Sequence, residues 1–186
     1  MKKANIILLL ILITSYCYCQ QDYKIYDKIL AQRIEILKLD NITNGFDSIQ
    51  IRIWPYFSCS CKSIGSPELI ILKNINNQWS VLLYDFGLRR NNDAEIKSFD
   101  IKTFVPKDSW DKFLNDIKIN DLLNIDTVVD TSYNPIVSAD YNKVDLIEVS
   151  TKNKYKRMIF KNTQDKANES LKAKIILNLV DIITKK

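Results

Sequence analysis

The chain has 186 residues, 46% hydrophobic and 26% charged, a size and balance that suit one ordinary domain with a real core and exclude wholesale disorder. Of its 27 basic residues, Lys2 and Lys3 open the chain; without them 25 stand against 22 acidic residues, a near balance that gives no case for a dedicated nucleic-acid protein. Histidine is absent, which removes every Ser-His-Asp or Cys-His arrangement and most zinc and non-haem iron sites, leaving carboxylates, Lys, Tyr or thiols for any catalysis.

Lys2 and Lys3 precede an unbroken apolar run, Ile6–Ile13, and a polar, cysteine-containing stretch to Cys19. This is the layout of an export signal, and the run is too short to span a bilayer comfortably. Residues 1–19 are therefore expected to be a signal peptide and 20–186 a single domain, exported to the periplasm or the medium, with no membrane span once the leader is removed. Cleavage after Cys19 places small residues, Cys17 and Cys19, at the two inspected positions. The alternative is an envelope lipoprotein acylated on Cys17 or Cys19, although Tyr16 and Tyr18 stand where a lipobox has a small residue.

Past the leader, Gln21–Ala31 suits a short helix with Tyr26, Ile29 and Leu30 on one face. Arg33–Asp40 and Ser48–Phe57 then read as a hairpin around Asn44-Gly45, with Ile49, Ile51 and Ile53 on one side and Gln50, Arg52 and Trp54 on the other. Glu68–Lys73 and Trp79–Phe86 read as a second hairpin across Asn74-Ile75-Asn76-Asn77. An extended run, Glu95–Val105, stops at Pro106. Asp108, with Asp111 three residues on, is expected to open a helix carrying the stripe Trp110, Phe113, Leu114, Ile117; Leu122, Leu123 and Ile125 continue it as a broken turn. Asp126–Tyr141 shows no periodicity and is the best loop for a binding surface. Val144–Ser150 and Tyr155–Phe160 make a third hairpin, and Asp165–Thr184 is a helix with a wide apolar face. The sum is an α+β fold, a single antiparallel sheet of about seven strands built from hairpins with two longer helices packed on one face.

Cys59-Ser60-Cys61 is the only motif with chemical character. In an oxidising compartment Cys59 and Cys61 are a candidate disulfide or redox pair, against the plainer reading of a local staple or two loop thiols; a redox enzyme more often shows Cys-x-x-Cys at a helix start. The mature chain holds no further Cys and no His for a closed zinc site, so no metal and no cofactor are expected. Asp126, Asp130, Asp140 and Asp145 flank the irregular loop without an EF-hand pattern, and read as solvated charges. Trp54 and Tyr56 form an aromatic patch if their face is uncovered and core if it is covered; with Tyr133, Asp140 and Tyr141 they are the candidate binding surface. Trp79 and Trp110 are expected in the core. Lys152, Lys154, Lys156 and Arg157 make a basic hairpin tip, of the kind that is usually just solvated.

The segments IQIRIWPYFS, ELIILKNINNQWSVLLYDF and VSTKNKYKRMIF, followed by a C-terminal amphipathic helix, resemble a group of small, uncharacterised exported bacterial proteins over about half the chain. The resemblance implies an exported α+β domain and brings no activity or site residues with it. The leading expectation is a non-enzymatic domain that binds another protein at the cell envelope, of the immunity or inhibitor kind. A thiol-redox protein using Cys59 and Cys61 is the alternative.

Overall fold

A computed structural model describes residues 26–55, 57, 67–88, 96–124, 144–161 and 181–183. The chain divides into two compact units, Met1–Asn41 and Ile42–Lys186.

In the first unit, residues 26–36 form helix α1. This overturns the expected strand at Arg33–Asp40. Ile34, Ile36, Leu37 and Leu39 satisfy a strand's period or a helix's about equally well. The helix wins because Leu30, Arg33 and Leu37 form one buried stripe, at the cost of leaving Ile36 38% exposed. Its end is closed by paired bonds: the Lys38 N–H donates to Glu35 O at 3.1 Å and the Leu39 N–H to Ile34 O at 3.0 Å. Lys38 takes the left-handed position, φ 51°, that glycine usually fills in such a closure.

The described residues of the second unit form six strands, β1 (Ile49–Trp54), β2 (Leu69–Ile75), β3 (Gln78–Leu88), β4 (Ile96–Phe104), β5 (Val144–Thr151) and β6 (Lys154–Lys161). They form one sheet in the order β4-β3-β2-β1-β5-β6, every neighbouring pair antiparallel. Six described strands therefore stand where about seven were expected, the missing one being Arg33–Asp40. With no strand before it among the described residues, β1 pairs with β2 on one side and with β5 on the other.

Gly45 does turn the chain, at φ 100°, but for a different purpose. Its N–H donates to Ile42 O at 3.2 Å, the Phe46 N–H donates to Thr151 O at 3.1 Å, and the Ser150 hydroxyl donates to Ile42 O at 2.8 Å. The turn thus lays residues 42–46 against the end of β5 and delivers β1 in register with it. The β2–β3 hairpin forms as expected, with a tighter turn: Asn76 and Asn77 alone supply it, both at positive φ, 52° and 63°, as a two-residue primed turn requires. Lys152-Asn153 close β5 onto β6, pairing Thr151 with Lys154.

Cross-strand registers decide what each face buries. Phe104, Val81, Leu72, Ile51 and Val149 lie in one row, and Leu83, Ile70, Ile53, Ile147 and Met158 in the next. These rows form the core with Phe113 and Ile117 around helix α2 (Trp110–Asp116), Ile119 and Leu122 of helix α3 (Ile119–Asn124), and Ile183. The aromatic stripe of α2 behaves as expected: Phe113 meets Phe104 at 5.2 Å between ring centroids and Trp110 at 5.8 Å, while Trp79 and Trp110 pack half-buried on the same core. The cap falls one residue later than expected, at Ser109, whose hydroxyl accepts from the Lys112 N–H at 3.2 Å. Ile125 lies outside the described residues. Of the C-terminal helix expected over Asp165–Thr184, residues 181–183 are described and are helical.

Candidate functional site

The face of β1 opposite its isoleucines is polar, yet buried. Gln50, Arg52 and Trp54 have no exposed area, and neither have Glu148 and Ser150 beside them on β5. Register sets Glu148 between Arg52 and Arg157, one acid flanked by two bases across three strands. One Glu148 oxygen accepts from the Trp54 indole N–H at 3.0 Å, and the other from the Tyr155 hydroxyl at 2.9 Å. With the Gln50 amide turned so that its oxygen faces the guanidinium, it accepts from Arg52 Nε at 3.0 Å and Nη2 at 3.1 Å. Burial, and then the Glu148 charge, hold the Tyr155 hydroxyl above the ordinary tyrosine range, so it stays protonated at neutral pH. Nothing in solution reaches the fully buried members, and the chemistry of this cluster is that of a clamp between β1 and β5.

Trp54 is accordingly a buried member of that clamp, with Phe57 set edge-on against it at 6.0 Å, rather than part of an exposed aromatic patch. The other candidate residues, Tyr56, Cys59, Cys61, Tyr133, Asp140 and Tyr141, lie outside the described residues, as do Asp126 and Asp130. Asp145 is buried on β5. Of the basic hairpin, Lys152 and Lys154 are exposed, whereas Lys156 and Arg157 are half-buried. Among the described residues no group of three or more Cys, Asp or Glu side chains could hold a metal ion. No helix among them is long and apolar enough to cross a membrane.

The accessible site lies at the other end of the sheet. An open cleft of about 850 Å³ runs along the end of β4 and under the start of α2. Leu83, Phe104, Phe113 and Ile182 give it an apolar floor; Lys102, Lys107 and Lys112 on one hand and Asp85, Asp108 and Asp116 on the other give it a charged wall. Pro106 forces the break between strand and helix that opens it, and leaves Val105 on the rim, 72% exposed. Lys112 pairs with Asp108 one turn away, and this bond and charge hold the Asp108 carboxyl below its ordinary range. The carboxylate therefore presents a fixed charge, not a proton. Sequence reading passed over this site because its residues come from β3, β4, α2 and residues 182–183, and only Val105-Pro106-Lys107, with Val105 and Lys107 exposed, signals it locally.

Comparison with protein-family models, with curated proteins and with solved structures finds no match to the chain.

Proposed function

We propose that this chain is an exported, non-enzymatic domain that binds another protein at the cell envelope through the cleft beside Pro106, as an inhibitor or immunity protein does. Export rests on the basic, apolar and small-residue order of residues 1–19. Binding rests on one observation: the cleft joins an apolar floor to a wall of both charges, and Val105 stands out at its mouth. An apolar anchor ringed by polar groups is how protein contacts are usually built. The fitting partner is a loop that inserts one aliphatic or aromatic side chain over Phe104 and Phe113 and brings a basic group to Asp108 or Asp116.

The test is a photo-crosslinking residue at Val105 in the protein made by its own host. One discrete adduct with one protein is expected, and it should vanish in Val105→Asp while the unfolding temperature stays unchanged, since Val105 is largely exposed. No adduct, or a smear of adducts indifferent to the substitution, overturns the reading.

A further inference from the structure

The two outer strands of the sheet differ. On β6, Met158 and Ile159 are buried and only Lys154 of the residues 154–159 is exposed. On β4 every residue from Ser98 to Thr103 is exposed, including Phe99 at 38% and Ile101 at 51%. Among the described residues no strand pairs with the outer side of β4. An open, partly apolar edge of this kind is a template for one more strand.

We propose that the added strand is the β4 of a second copy of this chain, paired about a two-fold axis through Ile101. Charge complementarity selects the register. Directly opposed residues in an antiparallel pair share a face, so a two-fold pairing of β4 with itself must place some residue opposite its own copy. With Ile101 at the centre, Ile101 meets Ile101, Phe99 meets Thr103, and Asp100 meets Lys102 twice over. Centred on Asp100 the pairing opposes two acids, and centred on Lys102 two bases; centred on Phe99 it sets Asp100 against Ser98, and centred on Thr103 it sets Lys102 against Phe104. Only the Ile101 register matches charge with charge. Inside the molecule Asp100 stands directly opposite Asp85 on β3, a like-charge neighbour that a lysine arriving on the outer side offsets. Phe99 is already held against Tyr84, ring centroids 6.2 Å apart, so its surface is set in place for a neighbour. The same charges that deter pairing in other registers thus favour this one. Two six-stranded sheets become one continuous sheet.

Lys102 belongs to the cleft wall whereas Asp100 does not line the cleft, so Asp100→Lys and Ile101→Cys are the variants that separate this inference from the cleft reading. The experiment is sedimentation of the protein purified from its host, across a range of concentration. The parent is expected to pass from monomer to dimer. Asp100→Lys alone sets two lysines opposite two lysines, and Lys102→Asp alone sets two acids opposite two acids. Each is expected to weaken association roughly tenfold or more, whereas the double exchange Asp100→Lys with Lys102→Asp restores it. As a second reading, Ile101→Cys is expected to give a disulfide-linked dimer on oxidation and Val105→Cys not to, because only directly opposed positions lie within bridging distance. A parent that stays monomeric throughout, single variants that associate as the parent does, or a double exchange that fails to recover would each overturn the proposal.

Discussion

At Glu148 an indole N–H and a phenol meet on one buried carboxylate, and Arg52 and Arg157 stand opposite it in register on the two neighbouring strands. A charge taken fully out of water is tolerable only when its lone pairs are filled and an opposite charge is near, and both conditions are met here. The clamp leaves a signature in pH. Tyr155 is neutral while it keeps its proton, and the folded protein keeps that proton beyond the ordinary tyrosine value of 10.0. The stability this contributes is whole below about pH 10 and drains away as pH rises further, toward the folded value. Tyr155→Phe removes both the bond and the titration. In urea denaturation the parent is expected to be the more stable at neutral pH, and its lead over the variant to shrink above about pH 10. A lead that stays constant to about pH 11 would mean that neither burial nor Glu148 perturbs the phenol.

Elements are set by a few positions where the backbone has little choice. Gly45 is one, because a Cβ there would sit 2.7 Å from the Lys152 carbonyl oxygen and φ is 100°. Gly45→Ala is expected to cost about 1–3 kcal/mol, read as a lowered urea midpoint, and to loosen the contact of residues 42–46 with the end of β5. Slowed exchange of the Phe46 amide should be lost with it. Elsewhere the strands were legible because their two faces differ: the Ile49, Ile51, Ile53 alternation, the paired asparagines and the third hairpin all stand where their residues point. The Asn44-Gly45 signal was legible as a turn but not as to partner, since a turn states only that the chain reverses. Arg33–Ile36 misled for a physical reason: a long arginine stem can complete a helix's buried stripe, which a reading of apolar letters does not count. The clamp and the cleft were illegible, since each gathers residues far apart in sequence.

For the molecule as a whole, the order β4-β3-β2-β1-β5-β6 divides the work of folding. Strands β1 to β4 join neighbour to neighbour, whereas β5 must return across a long stretch of chain to reach β1. Closing that loop is the dear step in entropy, and local hairpins have reason to form first. Ile70 on β2 and Ile147 on β5 are both fully buried and flank Ile53, so each change to Ala is expected to cost about 2–5 kcal/mol. Their kinetics should differ: Ile70→Ala slows folding, while Ile147→Ala chiefly speeds unfolding, in stopped-flow urea jumps. Equal partition in both would place the β1–β5 seam in the folding nucleus. That seam also governs how the sequence is free to drift. Arg52 and Glu148 face one another across it, 96 positions apart in the gene, and losing either alone is expected to leave the other's charge buried without its opposite. A lineage that trades these two facing, opposite charges for apolar residues must change both codons together, or pass through a weakened ancestor, so the two sites should be inherited as one character.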